Sequence, residues 1–212
     1  MTKFLSNAYN RLYSEFGPQH WWPADSAFEV VVGAILTQNT TWSNVEKAIA
    51  QLRQQKLLTP NRLRNTNLSE LGKLIRPCGY YNVKAKRLKN FLEFLFVDFK
   101  GRLPLLFSLS RPRLREKLLK VNGIGPETAD SILLYAAEKP VFVVDAYTRR
   151  FLTRHRLIKP SADYQKIQRL FEDHLPRRIK LFNEYHALIV RLGKEFCRSK
   201  PLCSRCPLKK WK

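Results

Sequence analysis

VNGIGPETADSILLYAAEKPVFVVDAYTRR, residues 121–150, decides how this chain is read. A Gly123-Ile124-Gly125 turn joins two apolar-periodic segments, and one acid, Asp145, lies twenty residues past the second glycine. Glycine lets the backbone bend tightly and lets a partner come close. Pro126-Glu127-Thr128 then makes a good helix opening, because proline suits the first helical position. The amides of that first turn, Thr128 included, lack intrahelical acceptors and point at an anion. Since a Gly-x-Gly turn also connects ordinary helices, the turn by itself names no partner.

Composition narrows the choice. The 212 residues carry 39 Lys and Arg against 17 Asp and Glu, a formal net charge of +22. Such an excess calls for a polyanion. A membrane surface would qualify, but no apolar run approaches the ~18 residues of a spanning helix, and the basic residues are scattered along the chain instead of forming one block. Nucleic acid is the expected partner, with no membrane. The opening MTKFLSNAYNRLYSEFG interrupts its apolar positions with charges and offers no small-residue cleavage site, so a cytoplasmic, nucleoid-associated location is expected. A hydrophobic content of 44% is enough for a core in one large domain or two small lobes.

The periodicity is almost wholly helical. Phe28, Val31, Val32, Ile35 and Leu36 fall on one helical stripe. Similar patterns cover 2–15, 42–53, 68–75, 82–97, 112–120, 127–137, 146–154, 163–174 and 179–196, with Pro, Gly or Asn between most of them. The one strand-like run, Val141-Phe142-Val143-Val144, is short enough to be a buried loop. The reading is an all-α protein of roughly ten short helices, without internal repeats or low-complexity segments.

These residues carry a resemblance. The hairpin Leu114–Tyr135, the loop with Pro140 and the acid Asp145 resemble the helix-hairpin-helix (HhH-GPD) DNA glycosylases of the endonuclease III superfamily. Trp21-Trp22-Pro23, GAILTQNTTW at 33–42 and RPCGYYNVKAKRL at 76–88 look like the 3-methyladenine DNA glycosylase III branch. The resemblance implies two helical lobes with a central DNA-binding cleft. One is a six-helix lobe over about 22–135 that ends in the hairpin; the other is built from 1–21 plus 136–212, with Asp145 at the mouth of the cleft. It further implies a monomer acting on double-stranded DNA that contains damaged bases.

The chemistry follows from that likeness. Breaking an N-glycosidic bond develops positive charge on the deoxyribose, which a carboxylate stabilises while orienting or deprotonating water, so Asp145 is the expected catalytic residue. It also precedes AYTRRFLTR as a good helix cap, and one carboxylate can serve both roles. Family members that also cut the backbone carry a nucleophilic lysine two places after the last hairpin glycine, where this chain has Glu127. A glutamate forms no Schiff base, so hydrolysis with water as nucleophile is expected, and Glu127 also suits the first turn of a helix electrostatically.

Base recognition requires the target nucleotide to leave the stack. Trp22 and Trp42 match the positions whose rings hold the base in this branch, and indoles stack well on a base made cationic by alkylation. Trp22 would equally serve to staple the N-terminal segment to the core. Lys194 matches a lysine near that pocket, and Glu127 would border it. For DNA contact, Gln38 matches the residue that fills the gap left by the flipped base, and Tyr80 lies where a wedge enters the opposite strand. Gly123, Gly125 and Thr128 would hold phosphate through the hairpin, and Lys84, Lys86, Arg87 and Lys89 form a basic stretch facing phosphate or solvent. Asn39 and Thr40 are expected to cap the helix that starts near Trp42.

Cys197, Cys203 and Cys206 form a C-x5-C-x2-C array, while Cys78 lies far away in sequence. Many superfamily members close such a loop on a 4Fe-4S cluster held by four cysteines. This array is one residue short in its first gap and has Lys212 where the fourth cysteine would fall. A cluster with an unusual ligand, a metal-free loop and a zinc site therefore stay open, and none is required for catalysis. In each case the loop would present Arg198, Lys200, Arg205, Lys209 and Lys210 to phosphate.

The leading expectation is a monofunctional glycosylase that excises alkylated purines, 3-methyladenine foremost. The alternatives are a bifunctional endonuclease III-type glycosylase and lyase acting on oxidised pyrimidines, and a non-catalytic helix-hairpin-helix DNA-binding protein.

Overall fold

The computed structural model describes residues 1–209, so Lys210 and Lys212 lie outside the described part. In chain order the helices are α1 (Thr2–Phe16), α2 (Ala27–Leu36), α3 (Trp42–Gln54), α4 (Pro60–Asn65), α5 (Leu68–Leu74), α6 (Tyr81–Phe99), α7 (Leu103–Phe107), α8 (Arg111–Leu119), α9 (Pro126–Ser131), α10 (Ala146–Arg154), α11 (Tyr164–Glu172) and α12 (Ile179–Glu195). No strand occurs among the described residues, and Val141–Val144 is a buried extended segment. The chain splits into two compact units, Met1–Pro23 with Glu138–Lys212, and Ala24–Ala137.

The Ala24–Ala137 unit contains α2 to α9. Its centre is α2, which Ser26 starts by accepting a hydrogen bond from the Glu29 amide and which is buried from Phe28 to Leu36. Each large aliphatic side chain so enclosed contributes about 1.5–3 kcal/mol. Helix α6 lays Ala85, Leu88, Phe91, Leu92 and Leu95 into the same core. Thr59 caps α4 with Pro60 behind it, and Asn67 caps α5. Helix α3 begins after Thr41, which makes no side-chain cap; Asn39 takes a left-handed conformation and Thr40 accepts from Asn44 Nδ2, so neither makes the expected cap.

In the other unit, α1 buries Leu5, Ala8 and Leu12, and α12 buries nearly its whole middle, Tyr185 to Val190. The Tyr185 hydroxyl donates to Leu5 O at 2.9 Å and pins one helix to the other. Phe142 stacks on Phe171 at 3.7 Å, so the segment leading to Asp145 is packed against α11. No described helix is long and apolar enough to cross a membrane.

Candidate active site and nucleic-acid interface

The hairpin is α8, a turn at 120–125, and α9, which runs on through a π turn at Ile132–Ala136. Arg115 on α8 donates from Nε to Asp130 Oδ1 at 2.7 Å and from Nη2 to Oδ2 at 3.1 Å, a two-pronged lock on an acid with no exposure. The two glycines of the turn play different parts. Gly123 has φ of +94°, and a Cβ there would sit 2.3 Å from Arg87 Cγ, so both conformation and space demand glycine. Gly125 precedes α9 with an ordinary extended φ of −90°, and a Cβ would meet nothing within 4 Å. The surface in front of Gly125 is open.

Gln38 lies beneath this turn. Its Nε2 donates to Gly123 O at 2.9 Å and to Thr128 Oγ1 at 2.8 Å, and its Oε1 accepts from Arg87. The amide expected to read the duplex is thus committed to the hairpin, and entering DNA would cost these bonds. Asn90 Nδ2 adds a tie to Asn122 O at 3.1 Å. Thr128 is buried and its hydroxyl accepts from Gln38, so its side chain is turned into the protein and away from phosphate.

The basic stretch on α6 is corrected by the structure. Lys84 is 1% exposed and donates to Cys78 O at 2.7 Å, so it touches no phosphate. Burial lowers its pKa, and the carbonyl at the end of the preceding turn satisfies the ammonium. Lys89 likewise turns inward, donating to Leu63 O at 3.1 Å, Arg64 O at 2.6 Å and Thr66 O, where it caps the end of α4. Arg87 supports Gln38 and Gly123. Tyr80 is the opposite case: it is 72% exposed at a left-handed φ of +46° just before α6.

Trp42, in the same unit, is half-buried at the start of α3 and donates from Nε1 to Glu46 Oε1 at 2.8 Å. Glu127 is exposed in the first turn of α9. Trp22, in the unit with Asp145, is half-buried with its ring edge-on to Trp21 at 5.5 Å. Lys194 is exposed in the last turn of α12.

Asp145 is the N-cap of α10, its Oδ1 accepting from the Thr148 amide at 2.7 Å. Its Oδ2 lies 3.5 Å from Nε2 of His186, a residue of α12 that the sequence reading did not single out. Burial pushes the Asp145 pKa up, but His186 and Thr148 outweigh it and hold the carboxyl below its usual range. The acid is therefore a nearly enclosed anion, with a side chain 13% exposed. A further glycine shapes this region: a Cβ on Gly193 would come within 2.2 Å of Tyr147 Cδ1, so the Tyr147 side chain packs directly against α12 at this glycine.

Cys197, Cys203 and Cys206 line one cavity of about 340 Å³ with Arg154, His155, Leu192, Phe196 and Leu208 among its walls. Arg154 Nη1 donates to Cys197 Sγ at 3.2 Å, and burial raises the Cys206 thiol, favouring its neutral form. No group of three or more His, Cys, Asp or Glu among the described residues is placed to hold a metal ion. Cys78 is buried in the other unit, where its Sγ donates to Asn44 O. A four-iron cluster takes four thiolates, and the described residues here do not fit one. Arg150, which donates to Cys197 O and Gly193 O, and Arg154, which donates to Ser199 O, tie the loop to α10.

A helical hairpin with an open glycine face, in a strongly basic chain that also carries a nearly enclosed capping aspartate, fits the nucleic-acid-binding class of protein. Residues 32–177 match the HhH-GPD superfamily of base excision DNA repair proteins, and the chain belongs to that superfamily of DNA glycosylases. It is 48% identical over 211 residues to a Methanocaldococcus jannaschii protein provisionally designated a DNA repair glycosylase, covering 99% of this chain and 96% of that one. The crystal structure of an H. pylori 3-methyladenine DNA glycosylase bound to 1,N6-ethenoadenine is similar at 30% identity and a TM-score of 0.74, covering 92% and 95% of the two chains. A non-covalent endonuclease III–DNA complex shares the fold at 22% identity and a TM-score of 0.84, covering 100% of this chain and 94% of that one.

Proposed function

We propose that this protein hydrolyses the N-glycosidic bond of alkylated purines of the 3-methyladenine type in flipped-out nucleotides, without cutting the backbone. The observation that carries the reading is Asp145, a nearly enclosed carboxylate with one oxygen on the Thr148 amide and the other facing His186. As the bond from C1′ to the purine nitrogen breaks, its electron pair leaves with the base and positive charge grows on the sugar. A fixed anion beside that charge lowers the barrier. The alkylated base leaves as the neutral purine, water bonds to C1′, and the proton it loses passes to solvent water. A carboxyl held below its usual pKa is a weak proton acceptor, so Asp145 contributes mainly by stabilising charge and orienting water.

Glu127 supports the hydrolytic course, since its carboxylate cannot form a Schiff base at the position where backbone-cutting relatives use an amine. The alkylated-purine reading draws on the likeness to the H. pylori enzyme and on the sequence match of Trp22 and of Trp42 to aromatic positions of that branch, where an indole would stack on a cationic base. Tyr80 supplies a wedge, and the amides at Gly123, Gly125 and the start of α9 supply phosphate contacts. Catalysis in this reading uses no cofactor.

The test is to incubate the purified protein with methylated genomic DNA, identify released bases by mass, and treat parallel reactions with borohydride. The expected result is free 3-methyladenine with no covalent protein–DNA adduct. Absence of 3-methyladenine among the released bases refutes the substrate, and a trapped adduct refutes the hydrolytic course.

A further inference from the structure

His186 is the one charged or strongly polar side chain in the buried middle of α12, among Tyr185, Ala187, Leu188, Ile189 and Val190. An imidazole placed there is costly unless a polar partner repays its desolvation. That partner is Asp145, whose Oδ2 lies 3.5 Å from His186 Nε2. The separation is long for a hydrogen bond and Nε2 is not aligned to make one with Oδ2, so the two groups meet as a close polar contact in a poorly solvated site.

Both members of the pair are held from outside. Helix α12 is fixed by Tyr185, whose hydroxyl donates to Leu5 O, while the Tyr9 ring of α1 packs edge-on against Tyr185 at 5.4 Å. The segment entering Asp145 is fixed by α11: Glu172 Oε1 accepts from the Phe142 amide at 3.1 Å, Gln168 Nε2 donates to Phe142 O at 2.8 Å, and the Tyr164 hydroxyl accepts from the Val144 amide at 3.3 Å. The Phe142 ring stands edge-on to His186 at 6.5 Å and walls that side with carbon.

We infer that His186 is the positioning residue for Asp145, fixing the carboxylate through Oδ2 while the Thr148 amide fixes it through Oδ1. This inference rests on the reading of Asp145 as the catalytic acid. Each carboxylate oxygen has two acceptor sites, so one contact on each leaves the remaining lone pairs for the sugar and the attacking water. The charged groups nearest in sequence are directed elsewhere. Arg149 of α10 donates to Pro160 O and Ala162 O, and Arg150 donates to Gly193 O and Cys197 O. On α11, Glu172 and Tyr164 accept from the backbone of the entering segment. His186 and Thr148 are the groups that hold the carboxyl below its usual range against the upward push of burial.

The sign of the effect follows. Removing the imidazole deletes a stabilising partner of the anion and leaves burial to push the carboxyl up, so Asp145 should take up its proton at higher pH. The experiment compares wild type with His186→Asn and His186→Leu. Asp145 is followed by carboxyl carbon NMR over a pH titration, and single-turnover release of 3-methyladenine is followed over the same range. In both variants the Asp145 titration and the acid limb of the rate profile should move to higher pH. The maximal rate should fall by about tenfold or more, with affinity for undamaged DNA unchanged. His186→Asn, which keeps a short polar group, should lose less than His186→Leu. An Asp145 titration at the wild-type position in folded His186→Asn overturns the inference, as would an unmoved acid limb in both variants. The NMR readout needs no substrate, so a wild type that released no 3-methyladenine would refute the alkylated-purine reading while the role of His186 was still decided.

Discussion

Replacing Arg115 by Met tests the lock that shapes the hairpin. Arg115 meets Asp130 through two bonds of 2.7 and 3.1 Å, and the Asp130 side chain has no exposure. The Arg115 side chain is itself only 20% exposed, so the pair is poorly screened by water. Methionine keeps most of the apolar stem but removes both Arg115 bonds to Asp130. Stripping one partner from a buried pair costs about 3–5 kcal/mol, out of a total of about 5–15 kcal/mol for an ordinary domain. At ~2–4 °C per kcal/mol for a chain of this size, the melting temperature should drop by about 6–20 °C. Adding Asp130→Asn to the Met variant removes the buried charge that has lost Arg115 and should recover about 1–3 kcal/mol, since an amide costs less to bury than a carboxylate. The assay is urea unfolding of wild type, single and double variants, read at constant slope. A single variant that loses less than about 1 kcal/mol would refute the reasoning, as would a double variant less stable than the single one.

The two hairpin glycines should separate fold from function. Gly123→Ala forces a Cβ to 2.3 Å from Arg87 Cγ at φ of +94° and should lower stability by about 1–3 kcal/mol in a melt. Gly125→Ala meets no atom within 4 Å, so it should melt like wild type yet bind duplex DNA more weakly in an anisotropy titration. Lys84→Met should leave the slope of log affinity against log salt unchanged, because the buried ammonium neutralises no phosphate. Protein prepared without oxygen should contain iron and acid-labile sulfide at background levels, in keeping with a thiol set that does not fit a four-iron cluster.

Much of this molecule is legible in its sequence, and the exceptions share causes. Helices α2, α6, α10, α11 and α12 announce themselves because each is long enough to show an apolar stripe, and Asp145 because an acid before a helical run is a local signal. Helices α4 (Pro60–Asn65) and α7 (Leu103–Phe107) are too short to display a period. Lys84 and Lys89 look like phosphate ligands because sequence records a charge and not its direction; their long stems carry the ammonium inward to carbonyls. Gln38 shows the same limit, since its commitment to Gly123 and Thr128 joins positions 85 and 90 residues apart. His186 was missed because a single histidine in an apolar helix resembles a core residue. Its meaning appears only when α12 brings it to Asp145, and the available signal was its isolation among carbon side chains in a helix with no other need for it.

The central claim is that Asp145 performs the chemistry, and the most direct measurement is the single-turnover rate of 3-methyladenine release by Asp145→Asn. Asparagine keeps the size of the side chain and can still cap α10 through its carbonyl oxygen, so the fold should survive. The account predicts a rate lower by about 10²–10⁴-fold with DNA affinity retained, because only the charge is removed. A folded Asp145→Asn protein that released the base at the wild-type rate would contradict it.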